Sequence, residues 1–307
     1  MGMHDTVVGM SMKRGLLALL ALALLTSCGS GPGEGTTKVA PGATGPVKVD
    51  DRPFQLHVPR SYDPAAKVPL VVLLHGYTSD SAEAESYFKL TAESDRRGFL
   101  YAMPDGTKDR RSEQYWNASE ACCDFYGGGT DDSAYLSKLV RTVEAGYAVD
   151  EKRVYFIGHS NGGFMSHRMA CDHADMVAAI VSLAGMVTSK PETCKPAKAV
   201  TVVQIHGTGD ETISFNGGFN GGQPYPSAAE TVAFWRTQDG CADQAEAPVA
   251  PLDLERVLQG AETTVTSYRA GCRDATRVQL WAMKEARHVP ALSDNFGATV
   301  VDFLYSL

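Results

Sequence analysis

A serine between two glycines follows a short apolar run near the middle of the chain. Residues 153–157 predict a buried strand, and residues 158–162, Gly-His-Ser-Asn-Gly, come directly after it and before a predicted helix. Glycine on both sides permits a sharp turn that lifts the serine hydroxyl above the edge of a sheet. We call this turn the elbow, and it predicts Ser160 as a nucleophile.

A serine hydroxyl needs a base, and the eight histidines leave one candidate. In sheets of this kind an acid and then a histidine follow the serine in chain order. The other seven histidines lie in the N-terminal segment, before or inside the elbow, near the helix after it, or at the end of the next strand. His288 follows the predicted strand 278–283, and we predict it as the base.

The acid is expected at the carboxyl end of a strand between the serine and the histidine. Residues 200–205 predict such a strand, and Asp210 and Glu211 follow it after a Gly-Thr-Gly turn. We predict Asp210, because a shorter carboxylate is held more rigidly there, with Glu211 as the rival. A turn or N-cap role is the structural alternative for Asp210.

Two backbone amides are placed to stabilise an oxyanion. The residue after the nucleophile, Asn161, supplies one of them. His75, Gly76 and Tyr77 follow the predicted strand 70–74, at the position of the loop that supplies the second, which we assign to Tyr77. We expect His75 to be a packed, hydrogen-bonded structural residue.

Two aromatic residues are candidates for binding substrate. Trp116 lies in a long loop and Tyr225 follows a Gly/Asn-rich segment. Each is predicted either to line the substrate pocket or to pack in the protein interior, with equal weight for both outcomes.

Apolar runs that end in Gly or Pro turns alternate with segments of helical periodicity. Strands are predicted at 70–74, 99–103, 153–157, 178–183, 200–205, 264–268 and 278–283, and helices at 81–97, 132–147, 162–171, 227–237 and 294–305. This alternation predicts an α/β fold, with a mainly parallel central sheet and helices on both faces. Ligands are expected beyond the carboxyl ends of the strands.

Charge and composition limit the partners. The formal net charge is −8, and no Lys/Arg-rich run is present in the sequence. Phosphate backbones bind electropositive faces, so no nucleic acid partner is expected. A small or oligomeric neutral substrate and a monomeric protein are expected instead.

The N-terminus has the pattern of an export signal. Two basic residues precede residues 15–25, which are Leu and Ala after one Gly, and the run is too short for a typical membrane span. Residues 25–28, Leu-Thr-Ser-Cys, resemble the lipobox of bacterial lipoproteins, in which Cys28 would carry the lipid and attach the protein to a membrane. A plain secretory signal cut near Ser27 is the alternative.

The remaining sequence divides into a tether and one domain. Residues 28–50 are rich in Gly and Pro and lack apolar periodicity, which is typical of a flexible linker. No later low-complexity segment divides residues 51–307, so we predict a single catalytic domain there.

Six cysteines follow Cys28. An even number in an exported protein predicts disulfides, although the count does not determine their pairing. No CxxC pair or close His/Cys set is present, so no metal site is expected.

Several segments together carry a resemblance to a known family. They are Leu74-His75-Gly76-Tyr77, Pro104-Asp105-Gly106, Trp116-Asn117-Ala118, Cys122-Cys123, the elbow with Asn161, His206-Gly207-Thr208-Gly209-Asp210 and the late His288. In this order they resemble the secreted polyhydroxybutyrate depolymerase and feruloyl esterase group of α/β-hydrolases, most of all its lipoprotein members. The resemblance covers about residues 53–307.

The resemblance implies specific roles and pairings. It implies Ser160 as nucleophile, Asp210 as acid and His288 as base. For the disulfides it implies Cys241–Cys272 and Cys171–Cys194, and it leaves Cys122 and Cys123 as a vicinal pair. This chain departs from the group by having Val289, where a Trp is usual, between the histidine and the following proline.

The sequence therefore leads us to expect an exported, cofactor-free serine esterase. Its expected substrates are short-chain hydroxyalkanoate or hydroxycinnamoyl esters, and soluble esters are favoured because the chain ends shortly after His288. The alternatives are an exported serine peptidase, which would use the same three residues, and a non-catalytic surface-binding lipoprotein.

Overall fold

Strands and helices alternate along residues 38–307, the part of the chain that this computed structural model describes. The strands are β1 (Ala43–Val49), β2 (Arg52–Val58), β3 (Val68–Leu74), β4 (Leu100–Pro104), β5 (Thr107–Lys108), β6 (Gln114–Tyr115), β7 (Val149–His159), β8 (Ala179–Leu183), β9 (Thr201–Gly207), β10 (Gly218–Asn220), β11 (Gln223–Tyr225), β12 (Thr263–Tyr268) and β13 (Val278–Met283). The α-helices are α1 (Ser81–Phe88), α2 (Leu90–Arg97), α3 (Asp132–Gly146), α4 (Asn161–Asp172), α5 (Ala228–Asp239) and α6 (Phe296–Tyr305). Single 3₁₀ turns occur at Pro191–Thr193 and Arg273–Ala275.

Nine strands form one sheet in the order β1-β2-β4-β3-β7-β8-β9-β13-β12. The pairings from β4 through β3, β7, β8 and β9 to β13 are parallel, whereas β1, β2 and β12 pair antiparallel at the two sides. The carboxyl ends of the parallel strands therefore lie at one edge of the sheet, where loops can gather functional residues. This is the mainly parallel α/β-hydrolase arrangement that the sequence predicts.

Helices cover both faces of the sheet, and the buried strands are apolar on both faces for this reason. In β3, Leu70 and Val72 belong to the core beneath α3, α4 and α5, whereas Val71 and Leu73 belong to the core beneath α1, α2 and α6. The sheet is therefore packed on both faces, and the loops at its edge project from this core.

The predicted tether is wrong in its C-terminal part. Residues 43–49 form β1, which pairs along its whole length with β2, from Ala43 opposite Val58 to Val49 opposite Arg52. β1 lies at the side of the sheet and buries only Val49 fully, so its sequence shows little apolar periodicity. Backbone pairing with β2 holds it in place. The ordered strand begins about eight residues before the predicted domain start at Asp51. The predicted signal and Cys28 lie outside the described residues.

The predicted helix 81–97 is two helices. Lys89 has a left-handed backbone conformation, with φ 54° and ψ 40°, which ends α1 and begins α2. The Glu85 carboxylate accepts hydrogen bonds from the amides of Leu90 and Thr91 and so supplies the second helix with N-terminal partners. Among residues 38–307, no helix is both long enough and apolar enough to span a membrane.

One buried carboxyl group lies at the C-terminal end of α5. Asp239 is fully buried; one carboxyl oxygen accepts the Val200 amide at 3.3 Å and the other lies 3.5 Å from the Thr276 hydroxyl. Burial raises the pKa of Asp239 to about 7, although the Val200 hydrogen bond and the charge of Arg273 favour the ionised form.

Asp239→Asn is expected to stabilise the protein at neutral and alkaline pH but not at acid pH. The folded protein keeps the Asp239 proton up to about pH 7, whereas an unfolded Asp loses it near pH ~4. The free energy of unfolding of the wild type therefore falls as the pH rises between these values and remains low above them. The variant removes this loss, which is at most about 4 kcal/mol. Urea unfolding across this pH range measures the effect.

Asp243→Asn is the matched control, because the Asp243 side chain is 93% exposed. Its unfolding free energy should follow the wild-type pH dependence. If Asp239→Asn also follows the wild type, the buried carboxyl is not protonated at neutral pH.

Candidate active site

Ser160 lies at the junction between β7 and α4. Its backbone has φ 53° and ψ −118°, an unusual conformation for a residue with a side chain, and its amide donates to the Leu183 carbonyl at 2.7 Å. A Cβ on Gly158 would overlap the Gly162 carbonyl, and one on Gly162 would overlap the Leu74 carbonyl. Glycine at both positions therefore lets strand and helix approach closely enough to form the elbow.

His288 joins Ser160 to Asp210. Its Nε2 lies 2.9 Å from Ser160 Oγ and its Nδ1 lies 2.8 Å from Asp210 Oδ2. Because a carboxylate only accepts, Nδ1 carries the hydrogen and Nε2 is free to accept from the serine hydroxyl. The three residues that the sequence predicts are thus brought together in hydrogen-bonding order.

Asp210 is held by both of its oxygens. Oδ1 accepts from the amides of Thr212 and Ile213, each at 2.8 Å. Burial alone would raise the pKa of the Asp210 carboxyl, but hydrogen bonds from His206 and His288 outweigh it and hold the pKa well below its usual range. The rival acid, Glu211, is exposed and has no side-chain hydrogen bond within the described part of the chain. The geometry favours Asp210.

The elbow histidine and a tyrosine hold the loop that carries His288. His159 Nε2 donates to the His288 carbonyl at 2.8 Å, and the Tyr87 hydroxyl donates to the Pro290 carbonyl, also at 2.8 Å. Burial and the proximity of His288 lower the pKa of His159. Sequence reasoning missed both residues; only the position of His159 inside the elbow was a signal for it.

The two predicted oxyanion amides are available. Neither the Tyr77 nor the Asn161 amide has a hydrogen-bond acceptor within residues 38–307. Asn161 begins α4, where backbone N–H groups lack helical partners. A Cβ on Gly76 would lie 3.6 Å from that of Ser160, so the loop that carries Tyr77 passes next to the serine.

His75 fixes the orientation of the Tyr77 amide. Its Nδ1 donates to the Gly76 carbonyl at 2.7 Å, and its Nε2 accepts from the Gly106 amide at 2.9 Å. The Gly76 carbonyl and the Tyr77 N–H belong to one planar peptide unit, so fixing the oxygen also fixes the direction of the N–H. Burial lowers the pKa of His75, which keeps this arrangement of hydrogens.

His75→Phe is expected to lower kcat for ester substrates by about ten- to a hundredfold, with little change in KM. Phenylalanine retains a ring against Trp116, whose centroid is 5.1 Å from that of His75, but it cannot donate to Gly76. His75→Asn places an amide near the Nδ1 position and should recover part of the rate. Equal kcat for wild type and His75→Phe in a folded protein would contradict the role of His75.

A cavity of about 300 Å³ opens beside Ser160 and His288. Its other lining residues are mainly apolar or aromatic and include Tyr77, Ala84, Tyr87, Phe88 and Val289. A pocket of this size and chemistry suits part of a small organic substrate.

The two predicted substrate-binding aromatic residues do not line this cavity. Trp116 is fully buried; its indole N–H donates to the His75 carbonyl and its backbone amide to Asn161 Oδ1. Tyr225 is 6% exposed, and its hydroxyl accepts from the Ser214 amide. Both follow the packing alternative: Trp116 is tied to the loop after β3 and to the start of α4, and Tyr225 to the segment after β9.

Residues 38–307 contain three disulfides, with the pairing that the resemblance implies: Cys122–Cys123, Cys171–Cys194 and Cys241–Cys272. The first lies next to the elbow, where the Asn161 side-chain amide donates to the Trp116 carbonyl at 2.8 Å and contacts Cys122 Sγ at 3.4 Å. Residues 38–307 contain no group of three or more side chains placed to ligate a metal ion.

Comparison with known sequences relates this chain to esterases. A family described as "Putative esterase" matches residues 49–265. The protein named "Putative esterase NocK" of Nocardia uniformis subsp. tsuyamanensis is 31% identical over 57% of this chain and 53% of its own length. Feruloyl esterase B of Piromyces equi is 27% identical over 57% of this chain and 33% of its own length. The chain thus spans about half or less of the length of these relatives.

Comparison with solved structures agrees on the fold. Acetyl xylan esterase from Aspergillus awamori superposes with a TM-score of 0.65 over 87% of this chain and 100% of that one, at 15% identity. At this identity the likeness bears on the α/β-hydrolase fold alone. Because the family match covers more than half of the sequence and includes the elbow, the chain belongs to the esterase family of α/β-hydrolases.

Proposed function

We propose that this protein is an exported serine carboxylic-ester hydrolase that works through an acyl-enzyme and needs no cofactor. The observation that carries the proposal is the continuous contact from Ser160 Oγ through His288 to Asp210, at 2.9 and 2.8 Å. Membership of the esterase family and the adjacent cavity support it.

Acylation begins with proton transfer within this contact. His288 Nε2 takes the hydroxyl proton as Ser160 Oγ attacks the ester carbonyl carbon, and the carbonyl oxygen becomes an oxyanion. The amides of Tyr77 and Asn161 stabilise that oxyanion. The tetrahedral intermediate then expels the alcohol oxygen, which receives the proton from His288, and leaves the acyl group on Ser160.

Deacylation repeats the sequence with water. His288 takes a proton from a water molecule whose oxygen attacks the acyl carbon, and it returns that proton to Ser160 Oγ as the carboxylic acid departs. Asp210 stabilises the charged imidazole in both halves. Because hydrogen bonds hold the pKa of Asp210 well below the usual range of a carboxyl group, Asp210 remains charged at neutral pH.

Short-chain hydroxyalkanoate and hydroxycinnamoyl esters are the proposed substrates. The cavity has aromatic side chains from Tyr77, Tyr87 and Phe88, which suit an aryl or short aliphatic acyl group. The names of the related feruloyl esterases support the hydroxycinnamoyl option. A panel of methyl ferulate, short p-nitrophenyl esters and hydroxybutyrate oligomers distinguishes the two classes.

Ala84→Trp is expected to narrow substrate selection. Ala84 lies on α1, is 6% exposed and lines the cavity, so a larger side chain there would fill part of it. The variant should lose more than about tenfold in kcat/KM for methyl ferulate relative to p-nitrophenyl acetate. Ala145→Trp, at an exposed position on α3, is the control and should leave the ratio unchanged. An unchanged ratio in Ala84→Trp would show that the acyl group binds elsewhere.

Labelling with a fluorophosphonate probe tests the proposal directly. The probe should modify Ser160 in the wild type, as mapped by mass spectrometry of the labelled peptide, and should not modify His288→Ala. Labelling without ester turnover but with cleavage of peptide anilides would identify a peptidase. Absence of labelling in the folded wild type would favour a binding protein that has lost its chemistry.

Export, lipid attachment and domain organisation remain part of the proposal. Three disulfides suit an oxidising compartment, and the Leu-Thr-Ser-Cys segment supports a lipid on Cys28. The division into signal, tether and catalytic domain is part of the same proposal, with the first strand of the domain starting at Ala43. We expect a monomer without a nucleic acid partner. Metabolic labelling with palmitate should mark the wild type but not Cys28→Ser.

A further inference from the structure

A line of buried polar side chains connects helix α5 to the proposed catalytic acid. Trp235 Nε1 lies 2.9 Å from His167 Nδ1, and His167 Nε2 lies 2.9 Å from Gln204 Oε1. Gln204 Nε2 then lies 3.2 Å from His206 Nδ1. All four side chains are at most 1% exposed, so water does not compete for these contacts.

The position of every hydrogen along this line of side chains follows from which groups can only donate and which can only accept. An indole N–H only donates, so His167 Nδ1 accepts and its Nε2 carries the hydrogen that Gln204 Oε1 receives. Gln204 Nε2 also lies 2.7 Å from the Gly185 carbonyl, which only accepts, and this confirms its identity as the amide nitrogen. Burial lowers the pKa of His167 to about 4, in keeping with an uncharged ring.

The same logic determines the hydrogen on His206. Because Gln204 donates to His206 Nδ1, the ring hydrogen lies on Nε2, at the end that faces Asp210. That N–H has two acceptors, the Ile213 carbonyl at 2.8 Å and Asp210 Oδ2 at 3.2 Å. The Ile213 carbonyl is the nearer acceptor, and the carboxylate is the second.

His206 therefore acts on both oxygens of the carboxylate. It approaches Oδ2 directly, and through the Ile213 carbonyl it holds the segment whose amide donates to Oδ1 at 2.8 Å. The remaining contact of Oδ2 is His288 Nδ1, at 2.8 Å. A displacement of His206 would thus move the acid relative to the proposed base.

We propose that His206 is a positioning residue for Asp210, and that the hydrogen-bonded side chains of Trp235, His167 and Gln204 keep the ring hydrogen of His206 on Nε2. This inference rests on the proposed function, because it acts through the proposed acid. The sequence signal is only the spacing between His206, near the end of β9, and Asp210, just after that strand. Gln204 lies on the same strand, whereas His167 and Trp235 come from α4 and α5, which no sequence motif connects to His206.

A second indole and glutamine pair provides an internal control. Trp281 Nε1 donates to Gln279 Oε1 at 2.8 Å, and Gln279 Nε2 donates to Ser267 Oγ at 3.1 Å. Both are buried, but this pair leads to β12 at the side of the sheet and not to Asp210.

Two substitutions of His206 separate positioning from general stability. In His206→Gln, an amide nitrogen can occupy the Nε2 position and donate to Ile213 and Asp210. In His206→Asn, the shorter side chain places its amide near Nδ1 and leaves those acceptors without a donor. We expect kcat for p-nitrophenyl acetate to fall about tenfold in His206→Asn, with KM within about twofold of the wild type, and to recover most of its value in His206→Gln.

The downfield proton NMR signal of the His288 Nδ1 hydrogen provides a readout that does not depend on turnover. It should shift or broaden in His206→Asn and resemble the wild type in His206→Gln. Gln204→Glu removes the donor to His206 and should perturb both kcat and the signal, whereas Gln279→Glu should perturb neither. Thermal unfolding establishes that each variant is folded.

Wild-type kcat and an unchanged signal in His206→Asn would overturn the proposal, as would equal losses in Gln204→Glu and Gln279→Glu. If the wild type hydrolyses no ester, the proposed function fails, yet the NMR comparison still decides whether His206 positions Asp210.

Discussion

Ser160→Ala is expected to lower kcat for p-nitrophenyl acetate by about a million-fold, to the level of non-covalent assistance by the rest of the site. The substitution removes the single atom that forms the acyl-enzyme and leaves His288 without its proton donor, 2.9 Å away. KM is not expected to change comparably, because the cavity walls are untouched. Initial rates and burst kinetics measure the effect.

Ser137→Ala is the matched control for this substitution. Ser137 is 8% exposed, lies on α3 and donates to the Ala134 carbonyl one helical turn away. Its loss should leave kcat unchanged. Ser160→Ala should unfold at almost the wild-type temperature, because the hydroxyl that it removes hydrogen-bonds to a partly exposed histidine. Retained turnover in folded Ser160→Ala would mean that another group is the nucleophile.

The sequence could predict the serine and the histidine because chain order and element type constrain them. Ser160 follows a strand and precedes a helix, and His288 is the histidine that remains after an acid. Both arguments use only local pattern and topology. The α/β fold follows from the same information, since strands such as 70–74 and 278–283 appear in the sequence as apolar runs that end in turns.

Features that leave little apolar pattern, or that depend on contacts between distant segments, could not be predicted in this way. The edge strand β1 is held by backbone pairing with β2, which leaves little apolar periodicity. Trp116 and Tyr225 are buried aromatic residues that contact segments far away in the sequence: Trp116 hydrogen-bonds with residues 75 and 161, and Tyr225 packs edge-on against Phe164. Residue type alone gives the same prediction for an aromatic residue that lines a pocket and one that supports it.

The hydrogen bonds of the histidines show the same limit in more detail. His75 acts on a peptide unit next to itself, but the amide that fixes its hydrogen comes from Gly106. His206 lies four residues before Asp210, yet the donor that fixes its hydrogen comes from Gln204, two strand positions away, and depends in turn on α4 and α5. Sequence spacing identifies the ring, whereas the fold decides which nitrogen donates.

Asp210→Asn is expected to lower kcat by about ten-thousandfold with little change in KM. The Oδ1 position faces the amides of Thr212 and Ile213, so the amide oxygen of the new side chain would occupy it. The NH₂ group would then stand in place of Oδ2 and donate to His288 Nδ1. That contact places the ring hydrogen on Nε2, where it blocks proton transfer from Ser160.

Glu211→Gln separates this explanation from a general loss of negative charge. Glu211 is adjacent in sequence and carries the same charge, but it is exposed and has no side-chain hydrogen bond within residues 38–307. Its substitution should leave kcat at the wild-type value. If Glu211→Gln loses activity and Asp210→Asn keeps it, the acid is Glu211 and the loop between β9 and β10 must rearrange when substrate binds. If both keep activity, His288 does not need a carboxylate partner to act as the base.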